Sequence, residues 1–252
     1  MNLAERVSTL RRVNSLSARQ LAALVGVAPT TVTRIESGAV TPSFDLAQEI
    51  LAVLGEPIGF TGLADVAAIA AARLAVDGDL EIEVTAGVEA WRRRWARIGL
   101  VDESGQVAVG KAADVMFRAG RVARLTRRPG AGDFAAGLGA RELAGALGGA
   151  GVDYAVTGDA GANLYCSSAG EAWPVLYVDD VARAAEAAGL VRKSDPFGLR
   201  VTLIPFDGVC ELGRSVIDGV MVAARDQVTI DAYGGVDRMA EQADVLVGRR
   251  AA

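Results

Sequence analysis

Histidine is missing from all 252 residues, and its absence removes several kinds of chemistry at once. Without an imidazole there is no histidine general base, no Ser-His-Asp or Cys-His catalytic unit, and no histidine metal ligand. Cysteine is nearly as scarce, because Cys166 and Cys210 are the two thiols and they form no CxxC pair. A structural zinc site is therefore excluded, and this cysteine usage fits a reducing compartment.

Long apolar runs are also missing. The most apolar stretch, residues 63–76, is rich in alanine and is interrupted by Asp65 and Arg73, so it is too short and too small-sided to span a bilayer. Residues 1–13 contain four charged side chains and lack the apolar segment of a signal peptide. We therefore expect a cytoplasmic protein with no membrane partner.

Charge is distributed unevenly along the chain, whose formal net charge is −5. Residues 1–58 contain five basic and five acidic side chains, residues 59–130 eleven and nine, and residues 131–252 ten and seventeen. Within the middle part, residues 86–130 alone contain ten basic and four acidic side chains. The asymmetry predicts three domains with separate roles, with boundaries near residues 58 and 130. The hydrophobic content of 51% is enough for packed cores.

The first domain has the signals of several short helices. Apolar residues recur at helical spacing over residues 3–10, and Ser17 is suited to cap a second helix that Gly26 ends in a left-handed turn. Pro29 is tolerated in the first turn of a third helix, and a fourth helix is predicted over residues 44–54. Helix, glycine-containing turn and helix in this order predict a helix-turn-helix motif.

Residues 16–38 have the sequence LSARQLAALVGVAPTTVTRIESG, followed by Thr41-Pro42-Ser43. The Leu-Ala pair, the glycine turn, the run VTRIE and the final glycine closely resemble the Cro/C1-type (XRE) helix-turn-helix family, and the likeness extends over residues 3–55. One position departs from the pattern, because Ala18 stands where members often carry Gln.

The resemblance implies a bundle of the five-helix type whose second motif helix lies in the DNA major groove. It implies a homodimer bound to double-stranded DNA at the protein's own promoter. The alternative is a helical module used only for packing. We expect Glu36 to pair with an arginine rather than to contact DNA. The residues implied to reach base edges or nearby phosphates are Pro29, Thr30, Thr33 and Arg34. Those implied to contact the sugar–phosphate backbone are Ser17, Arg19, Thr31 and Ser37.

The middle domain is predicted to be helical or winged-helix-like. Its helices are expected over residues 63–76, 85–98 and 111–126. Trp91 and Trp95 fall on one apolar face and are expected to anchor a core. The excess of basic residues favours secondary contacts to DNA phosphates, whereas the alternative is a solvated face or a docking face for the acidic C-terminal domain. The candidates for these secondary contacts are Arg92, Arg93, Arg118 and Arg121.

In the C-terminal domain, helices and strands alternate, which indicates a mixed α/β fold. Asp179 is expected to cap the helix that starts at residue 181. The whole chain is therefore predicted to combine α and α/β domains. Strands are predicted over residues 154–158, 174–178, 199–204 and 220–224. Helices are predicted over residues 140–147, 160–165, 181–188, 226–233 and 236–247.

Three stretches of this domain carry a second resemblance. YAVTGDAGA begins at Tyr154, VLYV begins at Val175, and VMVAARDQVTIDAYGG begins at Val220. Their order is similar to that of the C-terminal domain of the AbiEi antitoxins of type IV toxin–antitoxin pairs. The resemblance implies a protein that neutralises an AbiEii-like nucleotidyltransferase toxin and represses its own operon. The alternative is a stand-alone regulator whose C-terminal domain senses a small molecule.

An enzymatic role is not expected from these residues. Nucleotidyltransferase sites need two carboxylates one residue apart on a strand, so that both face one metal site. Asp179 and Asp180 are adjacent, so their side chains diverge. Cys166 and Cys210 are interpreted as small inert side chains. We therefore predict no catalytic residue, no metal ligand and no cofactor.

Overall fold

The ends of the first helices follow the predicted local signals. In the computed structural model, Ser17 Oγ accepts a hydrogen bond of 3.1 Å from Gln20 N, and Gly26 ends the same helix with a φ of 71°. Glycine adopts this left-handed conformation without the strain that a Cβ would bring. The structure describes residues 2–56, 64–166, 173–193, 200–235 and 239–249.

The chain divides into two compact units, Met1–Ala123 and Arg124–Ala252. The first unit begins with four helices, whose apolar faces form one core around Leu21, Ile35 and Ile50. The sequence predicts a five-helix-type bundle over residues 1–58, and four helices lie within residues 2–56. These helices are α1 (Leu3–Val13), α2 (Ala18–Val25), α3 (Pro29–Glu36) and α4 (Phe44–Val53).

Three more helices belong to the first unit. Of the two predictions for this middle segment, helical or winged-helix-like, the structure has the helical one. The backbone described between residues 98 and 111 contains one β-bridge, Val101 with Val107, and no strand. Trp91 and Trp95 are buried, which confirms them as core anchors. The third of these helices ends at Val122 rather than near residue 126, because the chain passes into the second unit. The helices are α5 (Ala67–Val76), α6 (Ala86–Arg97) and α7 (Ala112–Val122).

A mixed seven-stranded sheet organises the second unit, in the order β4-β1-β5-β3-β2-β7-β6. The pairs β3–β5 and β2–β7 are parallel, and the other neighbours are antiparallel. The central strand β3 is buried along its length, which fits its unbroken run of apolar residues. The strands are β1 (Gly132–Ala135), β2 (Tyr154–Thr157), β3 (Val175–Val178), β4 (Val191–Arg192), β5 (Arg200–Pro205), β6 (Ser215–Ile217) and β7 (Val220–Val222).

Five α-helices accompany the described part of this sheet. The α9 and α11 helices pack against β2 and against each other, and α10 packs against β5. Across the described residues of both units, no helix has both the length and the apolar character needed to cross a bilayer. The helices are α8 (Ala140–Gly149), α9 (Gly158–Tyr165), α10 (Val181–Ala187), α11 (Arg225–Gly234) and α12 (Met239–Leu246).

Two predictions for the second unit were incomplete or wrong. Strands β1 and β4 were not anticipated, because Phe134 is the one large apolar side chain of β1 and β4 contains two residues. The predicted capping role of Asp179 is wrong. Asp180 Oδ1 accepts hydrogen bonds from Ala182 N at 2.8 Å and Arg183 N at 3.0 Å, so Asp180 caps α10. The predicted helix over residues 236–247 begins outside the described residues, and its described part is α12.

Candidate nucleic-acid interface

Helix α3 presents one buried and one exposed face. Val32 and Ile35 are 0% and 1% exposed and pack into the first unit, with α1 and α2 as neighbours of the helix. Val32 and Ile35 share the buried face because they are three residues apart, which puts both side chains on one side of the helix. The other side of α3 is therefore free to enter a groove.

The four predicted base-contacting residues lie on or beside this free side. Pro29, Thr30, Thr33 and Arg34 are all exposed. Thr33 Oγ1 donates to Pro29 O at 3.2 Å, one turn earlier in α3, and this bond orients the hydroxyl and methyl groups of Thr33. The side chain of Arg34 makes no hydrogen bond or ion pair with any residue that the structure describes, so its guanidinium is available to a ligand.

The predicted backbone-contacting residues lie at the start of α2, within α3 and at the C-terminal end of α3. Ser17, Arg19 and Ser37 are exposed, and Thr31 is half-buried. Arg19, in the first turn of α2, forms no ion pair within the described residues, whereas Ser37 Oγ donates to Arg34 O at 3.1 Å. The structure thus brings these eight predicted residues into one contiguous stretch of α2, the turn and α3.

An ion pair holds α3 to α1. Arg11 Nε donates to Glu36 Oε1 at 2.6 Å and its Nη2 donates to Glu36 Oε2 at 2.8 Å, so the contact is bidentate. The third donor, Nη1, bonds to Leu16 O at 2.8 Å. Hydrogen bonding to Glu36 raises the pKa of Arg11. The prediction that Glu36 serves an arginine is confirmed, and the pair fixes the end of α3.

Two of the four candidate arginines of the middle segment point into the first unit. Arg118 Nη1 donates to Asn14 O at 3.4 Å, near the end of α1, and burial lowers the pKa of Arg118. Arg121 is also half-buried, and burial lowers its pKa while the charge of Glu56 opposes this shift. The structure therefore places both side chains in the packing between α7 and the helix-turn-helix part of the unit.

The other two candidate arginines lie on α6. Arg92 donates to Ser104 O and has Glu89 at 3.7 Å, so its guanidinium is partly engaged. Arg93 is exposed and lies 3.9 Å from Glu89. A cleft beside these residues is also lined by Asp102 and Glu103, so its charges are mixed. Sequence reasoning did not select Arg97 of the same helix, although its exposed side chain lies close to the motif turn.

The second unit contains a buried polar cluster that sequence reasoning did not find. Asp231 on α11 receives Arg128 Nη2 and Thr157 Oγ1, each at 2.6 Å, Tyr177 OH at 2.9 Å, and Gln227 Nε2 at 3.0 Å. Arg128 and Asp231 are 1% and 0% exposed at their side chains. Burial would lower the pKa of Arg128, but the adjacent Tyr177 and Asp231 raise it above its ordinary value. The cluster joins α11 to the sheet through hydrogen bonds from Thr157 on β2 and Tyr177 on β3 to Asp231.

Three potential metal ligands meet after β5, namely Asp207, Cys210 and Glu211, with ligand atoms within 4.8 Å of one another. Their polar atoms already organise a turn. Asp207 Oδ1 accepts from Val209 N at 3.0 Å and Cys210 N at 2.9 Å, and Glu211 Oε1 accepts from Gly208 N at 3.0 Å. Burial raises the pKa of Cys210, which disfavours the thiolate that binds metals.

Comparison with known protein families gives one match. Residues 9–60 match the family described as helix-turn-helix, of the XRE type, which confirms the resemblance stated for the N-terminal part. The match covers the last residues of α1 and all of α2, α3 and α4. No curated protein and no solved structure matches the chain significantly. The resemblance of the C-terminal domain to the AbiEi antitoxins therefore stays a hypothesis.

Proposed function

We propose that this protein is a DNA-binding transcriptional regulator that represses its own operon as the antitoxin of a type IV, AbiE-like toxin–antitoxin pair. The DNA-binding part rests on the helix-turn-helix match over residues 9–60. The single observation that carries it is the exposed face of α3, on which Arg34 has no partner among the described residues.

The chemistry of this face suits the major groove. An arginine can donate two hydrogen bonds to the O6 and N7 atoms of guanine, and threonine offers a hydroxyl and a methyl group to other base edges. Because the Arg11–Glu36 pair holds α3 in place, Thr33 and Arg34 are presented on a rigid element. A pair of such domains in a homodimer would read two half-sites.

The antitoxin part rests on the resemblance of the C-terminal domain to AbiEi. The excess of acidic residues, seventeen against ten over residues 131–252, indicates that this part is not the DNA-contacting one. An AbiEii-like nucleotidyltransferase encoded beside this gene is the expected partner. Neutralisation, rather than catalysis, is the role we assign to the second unit.

The test of DNA binding compares variants on the DNA upstream of the protein's own gene. Arg34→Ala and Thr33→Ala should weaken binding, and Arg34→Ala should cost about 1–3 kcal/mol if the arginine contacts a base pair bidentately. Arg141→Ala, which removes an exposed arginine of the second unit, is the matched control and should bind like the wild type. Equal mobility shifts for Arg34→Ala and the wild type would exclude this placement of α3.

The test of the antitoxin role uses the neighbouring gene. Expression of its product alone should inhibit growth, and co-expression with this protein should restore it. If the neighbour has no nucleotidyltransferase character, or if growth is not restored, the antitoxin role is wrong. A regulator that answers to a small molecule would then be the better description, since DNA binding by the first unit does not depend on a toxin partner.

A further inference from the structure

The helix-turn-helix part of the chain has too little positive charge to bind DNA strongly on its own. Residues 1–58 contain five basic and five acidic side chains, and two of the arginines, Arg6 and Arg11, are paired with Glu56 and Glu36. Affinity for DNA depends on neutralising several phosphates with lysine or arginine. Cations from other parts of the first unit would therefore strengthen the binding.

Helix α6 places cations directly against the motif. It packs against α2, and Arg94 Nη2 lies 3.4 Å from Glu49 Oε1 on α4. Arg97 lies nearly one turn farther along α6. A Cβ built on Gly26 would lie 3.7 Å from Arg97 Nη1, so this guanidinium is beside the turn that joins α2 to α3.

Among the four arginines of α6, Arg97 differs in its surroundings. Arg94 is paired with Glu49 and lies over the Trp91 ring at 5.0 Å, and Arg92 bonds to the carbonyl of Ser104. Arg97 is exposed, and its side chain forms no hydrogen bond or ion pair within the part of the chain that the structure describes. Its charge is therefore available for an external anion.

We propose that Arg97 binds a DNA phosphate beside the base pairs that the first turn of α3 reads. This inference rests on the proposed DNA-binding function. Helix-turn-helix proteins read bases with the first residues of the recognition helix, so Pro29 and Thr30 lie deepest in the groove. The walls of the groove are the two phosphate backbones, and Arg97 lies at the end of the motif where α3 enters. The contact fixes the position of α3 without reading sequence.

A structural role is the competing explanation. Arg97 lies in the last turn of α6 and beside the end of α2, where a cation interacts favourably with two helix dipoles. If Arg97 has this structural role, its substitution should lower the stability of the first unit and leave the salt dependence of DNA binding unchanged. The two explanations are separable because counterion release responds to phosphate contacts alone.

The experiment measures affinity against salt concentration for full-length wild type, Arg97→Gln and Arg97→Lys. The probes are the upstream DNA and a duplex of random sequence. Loss of one phosphate contact should reduce the slope of log K against log salt by about 0.9 for each bound protomer, which corresponds to about eightfold weaker binding per protomer at 0.1 M salt. The decrease should be similar on both probes, and Arg97→Lys should keep most of the slope.

The control is Lys111→Gln, which removes one exposed positive charge whose partner within the unit is Asp114. It should keep the wild-type slope. An unchanged slope for Arg97→Gln overturns the inference, and so does a lower melting temperature with an unchanged slope, because that result assigns Arg97 a structural role. If Arg34→Ala weakens binding while Arg97→Gln does not, the DNA-binding proposal survives and this inference alone fails. If the wild type binds neither probe, the proposed function itself fails.

Discussion

The Arg128–Asp231 pair is a buried salt bridge whose removal has a calculable effect. Each oxygen of the Asp231 carboxylate accepts two hydrogen bonds, Oδ1 from Arg128 and Gln227, and Oδ2 from Thr157 and Tyr177. A carboxylate offers about four lone-pair directions, so its acceptor capacity is filled. Arg128 is 1% exposed at its side chain, so water cannot replace this partner without opening the fold.

Asp231→Ala should therefore destabilise the second unit by about 3–5 kcal/mol, because a buried guanidinium loses its carboxylate. The double variant Arg128→Met with Asp231→Leu removes both charges, and it should recover part of this loss because apolar replacements of buried pairs are close to neutral. Recovery stays incomplete because Thr157, Tyr177 and Gln227 still lose their buried acceptor. The exposed pair of Arg141 and Asp218, 3.2 Å apart, gives the control. Arg141→Ala should cost about 0–1 kcal/mol.

Amide hydrogen exchange in full-length protein is the suitable assay, because peptides from β3 and α11 report the opening of the second unit alone. Tryptophan fluorescence would mix signals, since Trp91 and Trp95 lie in the first unit and Trp173 in the second. If Asp231→Ala lowers the free energy of unfolding by less than about 1 kcal/mol, the reasoning is refuted, because removal of an exposed ion pair already has an effect of that size. A double variant as unstable as Asp231→Ala would show that the lost neutral hydrogen bonds or the side-chain fit, not the charge pairing, dominate.

Two further predictions concern alkaline stability and the role of Arg118. Burial raises the pKa of Tyr177 above its ordinary value of 10.0, so above that pH the unfolded chain releases a proton that the folded chain retains, and stability should fall as pH rises. Urea midpoints measured at rising pH above 10.0 should decline less steeply for Tyr177→Phe than for the wild type. Equal slopes would contradict a raised pKa of Tyr177. Arg118→Gln should lower the stability of the first unit by about 1.5 kcal/mol, the low end for a hydrogen bond from a charged donor, because this bond is 3.4 Å long. The same variant should leave the salt slope of DNA binding unchanged, and a reduced slope would return Arg118 to the DNA interface.

The helix-turn-helix was predictable because its signals are local. Ser17 as a cap, Gly26 in the left-handed region and the spacing of Val32 and Ile35 each act within one or two turns of helix. The sheet of the second unit was partly predictable, since β3 is a continuous apolar run. Strand β1 could not be recognised in the same way, because its pairing with β4 and β5, rather than its own composition, makes it a strand.

The buried cluster around Asp231 could not be predicted for a different reason. Its members are Arg128, Thr157, Tyr177, Gln227 and Asp231, which come from four separate parts of the chain. Taken singly, each is a common polar residue whose usual place is the surface or a helix cap. The fold alone brings them together, and their mutual hydrogen bonds then make burial tolerable.

The arginines of the middle segment also show that packing, and not sequence spacing, decides what a side chain contacts. Arg118 and Arg121 are spaced as a phosphate-binding face of one helix would be, yet both are half-buried, and Arg118 bonds to the carbonyl of Asn14 within the first unit. Arg94 and Arg97 are also three residues apart, and one pairs with Glu49 while the other stays unpaired beside Gly26. Counting charge therefore locates the basic segment. The docking of each helix decides whether an arginine joins two elements of the fold or is available to a phosphate.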